Sequence, residues 1–190
     1  MVDHLQAAFK DEKVAVVCIY CNYKERTEQT ASNLVASLLK QLIQEQSVTS
    51  DISASVKALY SNHINTGTRP TLGESVKALQ AEIRRYSKVF IVADALDECP
   101  EDNGTRGDLL TELRSLVAAV NLLFTSRYLT SIERDFQGTK RLDIRANDDD
   151  IRRYIEVRIQ REHRLARHVR ADPTLQESIV NTIVGNAEGM

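Results

Sequence analysis

Three carboxylates, Asp94, Asp97 and Glu98, crowd the exit of an apolar run, VFIVA at 89–93, and an arginine, Arg127, closes a second one, NLLFTSR at 121–127. A carboxylate at the tip of a buried strand suits a hard cation such as Mg2+, which keeps several waters and takes one or two protein ligands beside substrate phosphates. Asp94 has that position. A second acid a few residues on, Asp97 or Glu98, can orient or deprotonate an attacking water. From a neighbouring strand the Arg127 guanidinium can grip a phosphate oxygen in bidentate fashion. Magnesium, acid and arginine together point to nucleoside triphosphate chemistry. Acids are also common in ordinary turns, and a lone arginine is more often a surface residue. The order and separation of the two motifs raise the signal above either alone.

These residues need a frame that brings two strand ends to one place. The run at 89–93 is β-branched, aromatic and small, the pattern of a strand buried on both faces, and VAVVCIYCNY at 14–23 is a second such run. The segment 121–127 reads as a third strand and RLDIRA at 141–146 as a fourth. Between them the apolar spacing of Ala31, Leu34, Val35, Leu38, Leu39, Leu42 and Ile43 predicts a helix over 30–46. Further helices are expected over 53–62, 72–86 and 109–120, with NTGTRPT at 65–71 as a loop. Residues 2–10 resemble the tail of an amphipathic helix. Asn147 or Asp148 can cap a helix beginning near Asp149, which gives the acidic run 148–150 a structural role. Pro173 suits the start of a last helix over 174–184. Strands alternating with helices predict an α/β fold: a parallel sheet with helices on both faces, in three layers. Ligands in such sheets bind at the carboxyl ends of the strands, which places Asp94 and Thr125-Ser126-Arg127 on one rim.

The composition of these 190 residues, 42% hydrophobic and 27% charged, is that of an ordinary globular chain. No apolar stretch approaches the ~20 residues of a membrane-spanning helix, and the N-terminus has no signal-peptide pattern, so a cytoplasmic protein is the expectation. Cys18, Cys21 and Cys99 form an odd set on apolar segments, which fits reduced buried thiols better than a disulfide framework. Cys18 and Cys21 spell C-x-x-C, but residues three apart in a strand point to opposite faces and no second pair completes a zinc site. A net charge of −2 argues against a general electrostatic grip on nucleic acid. The arginines at 158, 161, 164, 167 and 170 recur every third residue and would spiral around a helix of 3.6 residues per turn, as on a solvated surface.

VFIVADALDEC resembles the Walker B segment of NACHT-type STAND nucleotide-binding domains, in which an apolar strand leads into D-G-L-D-E, and NLLFTSR resembles their sensor-1 strand ending in T-S-R. VCIYCNYKERTEQTASNLVASLLKQL and DIRRYIEVRI are similar to the second strand and helix, and to the helix after the fifth strand, of fungal members and the nephrocystin-3-like N-terminal domain. The resemblance covers nearly all of residues 1–190, with 148–190 as the start of a C-terminal helical part. It implies a P-loop NTPase-like sheet in which Asp94 coordinates Mg2+, Asp97 and Glu98 position the hydrolytic water, and Thr125, Ser126 and Arg127 face the nucleotide, with Arg127 sensing the γ-phosphate. Mg2+ with ATP or GTP are the cofactors it implies for intact relatives, and other protein domains or copies of the same chain, in a signalling assembly, are the implied partners. An alternative is a scaffold that keeps the fold for protein contacts without nucleotide.

Two departures follow. Ala95 stands where the family has glycine, a change that matters little if its φ stays negative. No G-x-x-x-x-G-K-[ST] occurs in these residues, the seven glycines having no such spacing, so the first, Walker A, strand is expected to be missing and the chain to be clipped at both ends. Since that loop supplies the amides, lysine and hydroxyl that hold triphosphate and magnesium, the chain alone is expected to bind neither cofactor tightly. In the family the absent strand lies between the fourth and fifth, so those two should pair directly or leave an edge open.

Overall fold

The computed structural model describes residues 2–9, 13–45, 52–116 and 120–187. They fall into two compact units, Met1–Gln137 and Gly138–Met190. In the first, three parallel strands β1 (Val14–Tyr20), β2 (Lys88–Asp94) and β3 (Asn121–Phe124) lie in the order β1-β2-β3. Helix α1 (Val2–Ala8) precedes β1. Between β1 and β2 come α2 (Ala31–Glu45), α3 (Ala54–Ile64) and α4 (Leu72–Ile83), then α5 (Thr105–Ser115) before β3 and α6 (Thr130–Asp135) after it. The second unit holds α7 (Asp148–Arg161), α8 (His163–Ala171) and α9 (Pro173–Asn186).

Strand alternation sorts the sheet into two faces. Ala15, Val17 and Ile19 of β1 and Val89, Ile91 and Ala93 of β2 share one face, buried in a single core with Leu34, Leu38 and Leu42 of α2, Leu79 of α4 and Leu109 and Leu113 of α5. On the other face Phe90 stacks on Phe9, which follows α1, with ring centroids 5.4 Å apart, and Lys88 lies over both rings. Helical chain therefore covers both faces, and the three-layer α/β arrangement expected from the alternating elements is the one found. The outer edge of β1 is covered by a side chain: the Gln41 amide accepts from the Cys18 N–H at 2.9 Å and donates to its carbonyl at 2.8 Å. That pairing satisfies groups that an edge strand otherwise presents to a stray strand.

Several boundaries differ from expectation for local reasons. β1 ends at Tyr20, three residues early, because Gln29 ties the next turn, donating to the Tyr20 carbonyl and accepting from the Asn22 N–H, both at 2.9 Å. α5 begins at Thr105 instead of Leu109, since Gly104 takes φ +77 and the Asn103 side chain accepts from the Thr105 N–H. The expected ends of the helices over 2–10, 30–46 and 109–120 run into residues outside those described. α4 starts on a capping box, Thr71 with Glu74, which T-L-G-E spells and which was not read from the sequence.

Two expectations fail. Residues 141–146 form no strand: they pair with nothing in the sheet and are exposed, Leu142 82% and Ile144 85%. Among the described residues the sheet ends at β3. The arginine run also does not lie on one helix. Glu162, at φ −87 and ψ 97, breaks it between α7 and α8. Asn147 caps α7 and Pro173 stands in the first turn of α9, as the sequence indicates, and Asp172, not read from the sequence, caps α9. In this unit Ile155, Ile159, Val169 and Val180 make a small core. Among the described residues no helix is long and apolar enough to cross a membrane.

Candidate functional site

The register brings the strand exits level. Tyr20 of β1 pairs with Asp94 of β2, and Ala93 pairs with Phe124 of β3, so Asp94 and Thr125 leave the sheet side by side. Thr125 then works as a clasp. Its N–H donates to the Ala93 carbonyl, its hydroxyl donates to Asp94 Oδ1 at 2.5 Å and accepts from the Ala95 N–H, and its carbonyl accepts from the Leu96 N–H. Four bonds from one residue fix the direction in which the chain leaves β2.

That direction needs Ala95 in the left-handed region, at φ +54 and ψ +48. The condition under which the alanine would matter little, a negative φ, is therefore not met. A left-handed alanine costs roughly 1–2 kcal/mol, and it is tolerated here because the Thr125 bonds and the buried Leu96 over-determine the turn. The following single turn of 3-10 helix, Leu96–Glu98, lifts Asp97 and Glu98 back toward β3.

There Asp97 meets Arg127. Asp97 Oδ1 accepts from the Arg127 backbone N–H at 3.0 Å and Oδ2 from its Nε at 2.5 Å. Burial alone would push the Asp97 carboxyl up, but the Arg127 N–H, its guanidinium and Asp97's own N–H together hold it below the usual carboxylate range. Arg127 is raised in turn, first by its bond to Asp97. The Asp97 side chain is 4% exposed and that of Arg127 78%, so the pair has a buried anchor and a solvent-facing cation. Glu98 is freer. Its Oε1 lies 3.8 Å from Arg127 Nη2 and its Oε2 accepts from the Tyr23 N–H at 3.3 Å, joining the third exit to the rim. The Ser126 hydroxyl donates only to the Arg127 carbonyl and stays apart from the acids.

Asp94, Asp97, Glu98, Thr125 and Arg127 thus share one rim, with Ser126 exposed beside them. Among the described residues no three His, Cys, Asp or Glu side chains cluster as a closed metal site. A single carboxylate such as Asp94, with Oδ1 clamped by Thr125, is still a donor set that a largely hydrated Mg2+ could use. A concavity lined by Gln6, Ala7, Phe9, Val14 and Val16 lies at the opposite end of β1.

Beneath the rim lie a buried arginine that went unread in the sequence and two of the cysteines expected there as reduced buried thiols. Arg106 is buried, paired with Glu101 at 2.7 Å and donating to the Ser131 hydroxyl at 3.0 Å. Cys21 and Cys99 are buried together under the acidic turn. Arg106 hides in the stretch ECPEDNGTRG, whose polar composition reads as surface, and the thiols are separated by most of the first unit's sequence.

With this geometry in hand, comparison with known proteins gives a family match and similarity to several solved structures. A family model described as Nephrocystin 3, N-terminal, matches residues 1–127. Among solved structures, that of the Aeropyrum pernix ORC1 protein in complex with DNA is similar over 84% of this chain and 38% of that one, with 17% identity and a TM-score of 0.50. A DNA replication initiation factor is matched over 97% of this chain and 54% of that one, at 10% identity and a TM-score of 0.33. The first likeness concerns the fold alone, the second is too distant to carry an argument, and the chain spans well under half of the ORC1 chain. No curated protein matches it.

Proposed function

The chain belongs to the nephrocystin 3 N-terminal family, and from that premise we propose that it is part of a NACHT-type, nucleotide-dependent signalling switch whose nucleotide end is the rim of Asp94, Glu98 and Arg127. The family and the parallel α/β fold support a nucleotide-related domain. The finer reading rests on one observation: the β2 and β3 exits are laced together by Thr125 and by the Asp97–Arg127 pair, so that a carboxylate and a cation stand at one edge. Asp94 would carry Mg2+, which supplies charge neutralisation at the phosphates when bound. Glu98, with only a long contact and one backbone donor, is the acid able to take a proton from water. Asp97 has both oxygens occupied by Arg127 and acts on water only after Arg127 lets go. A γ-phosphate and Asp97 compete for the same guanidinium, which makes Arg127 a natural reporter of nucleotide state. Thr125 orients Asp94, and Ser126 lines the approach.

These 190 residues contain no phosphate-holding glycine loop, so the rim by itself should bind Mg-ATP weakly, with a dissociation constant of about 1 mM or above. Titration of the chain with Mg-ATP, followed by amide chemical shifts, should move the resonances of residues 94–98 and 125–127. Asp94→Ala and Arg127→Ala should each abolish those shifts. A low-micromolar constant by calorimetry would overturn the weak-binding statement. Shifts absent, or unaffected by both variants, would sink the switch and leave the scaffold, whose partner binding an Asp94→Ala change should spare.

A further inference from the structure

The arginines of the second unit face outward with few partners. Residues 152–170 hold seven arginines, no lysine and two glutamates. Because α7 ends at Glu162 and α8 starts directly after it, the run is divided between two short helices, each with its own buried side: Ile155 and Ile159 on α7, Ala166 and Val169 on α8. The residues opposite those sides are exposed. They are Arg153, Tyr154, Val157 and Arg161 on α7, and Arg164 and Arg167 on α8. Arg161 and Arg164 flank the join. Arg158 lies 3.7 Å from Glu162, and Arg152 donates to Asn181. Arg153, Arg161, Arg164, Arg167 and Arg170 make no ion pair among the described residues.

The placement also works against α8 itself. Its first turn has no acid and holds Arg164 instead, at the end of the helix dipole that favours negative charge, and Glu162 makes no side-chain cap bond there. Arg164, Arg167 and Arg170 follow at three-residue steps, where like charges repel. A helix with so small a core gains nothing internal from this, and a docked polyanion would relieve it. The acidic run 148–150 is too far along α7 to do so for Arg161: roughly 16–20 Å at 1.5 Å per residue, against a screening length of about 8 Å. The chain's net charge of −2 averages over this local excess.

The chemistry narrows the partner. Guanidinium forks match phosphate oxygens, and a row of them across two helices fits successive phosphates of a polymer better than one small anion. Tyr154 is 67% exposed, beside Arg153 and two turns from Arg161, where its ring offers a face on which an unpaired base can stack. A membrane surface fits less well, since it requires an apolar face to insert and that of α8 packs into the unit's own core through Leu165 and Val169. We propose that the outward faces of α7 and α8 bind single-stranded nucleic acid, with phosphates on Arg161, Arg164 and Arg167 and a base on Tyr154.

The test is fluorescence anisotropy of the whole chain with fluorescein-labelled oligothymidylate and oligouridylate, between about 50 and 200 mM salt. Binding of either strand is expected, the tighter one identifying DNA or RNA as the source of the phosphates. The slope of log affinity against log salt should be about −2, because each neutralised phosphate of a single strand contributes about −0.7. Arg164→Gln with Arg167→Gln should weaken binding about tenfold at the lowest salt and flatten the slope to about −0.7. Tyr154→Ala should weaken it about tenfold with the slope unchanged. These side chains are exposed, so circular dichroism should match wild type. No binding at low salt, a double variant that binds as wild type does, a Tyr154→Ala without effect, tighter binding of a duplex, or a preference for phosphatidylserine vesicles would each overturn the proposal. The wild-type slope and the duplex and vesicle comparisons decide it alone should a variant not fold.

Discussion

Ala95 carries the clearest consequence of a single position. In most strands and helices an Ala→Gly change destabilises, because glycine loses more conformational freedom on folding. Here the sign reverses: φ +54 costs alanine more than the chain entropy of glycine does. Ala95→Gly should therefore raise stability by about 0.5–1 kcal/mol, read from the denaturant midpoint at unchanged m-value. A fall in stability would mean that the turn does not adopt this geometry. The second residue is Asp97. Its folded carboxyl is held below the ordinary value, so its contribution is full above the ordinary carboxylate range and is lost as pH falls through that range. Asp97→Asn should cost on the order of 1 kcal/mol near pH 7, and the gap between wild type and variant should close as pH drops below about 4. A gap that stays constant with pH would show that the Arg127 contact does not depend on charge. Asp94 and Arg127 were legible as a pair from residue type and strand position. The grip of Asp97 on Arg127 was not, because the sequence shows two acids in a row and only the 3-10 turn decides which one faces β3.

Elements were legible where their own pattern decides them. β1 and β2 are continuous apolar runs, and α2 has an unbroken apolar stripe that buries Leu34, Leu38 and Leu42. Residues 141–146 mark the limit of that logic. Arg141, Leu142, Asp143, Ile144 and Arg145 alternate as a half-buried strand should, but alternation states what a segment is fit for and cannot supply a neighbour to bond with. Left unpaired, Leu142 and Ile144 stabilise nothing in this chain and present an apolar pair to other molecules. The double change Leu142→Lys with Ile144→Glu should leave the unfolding free energy within about 0.5 kcal/mol of wild type and lower self-association in sedimentation velocity. Lost stability instead would mean that the two side chains are packed in solution. The break at Glu162 was equally unreadable, since the arginine spacing is compatible with helix on both sides and Glu162 is itself a good helix former.

At the scale of the whole chain the division into Met1–Gln137 and Gly138–Met190 sets two very different stabilities. The first unit has a sheet covered on both faces and a core of more than twenty buried side chains. Among the described residues the second has a core cluster of four, on three short helices, and domains of this size are marginal by themselves because they bury too little of the surface their unfolded chains expose. The second unit begins with an irregular, exposed stretch that carries Lys140, Arg141 and Arg145. Limited trypsin digestion needs a segment that can enter the protease unfolded, so the first cut toward the C-terminus should fall at Lys140, Arg141 or Arg145. The piece before it should then accumulate. The piece after it, with Arg152, Arg153, Arg158, Arg161, Arg164, Arg167 and Arg170 on helices of little core, should vanish within the same time course. Arg69, in the loop between α3 and α4, is followed by Pro70 and offers trypsin a poor bond. Intact mass of the early products distinguishes the outcomes. A persistent C-terminal piece would show that the helical unit is held by more than its own small core, and a first cut inside 52–116 would show that the sheet unit is the weaker of the two.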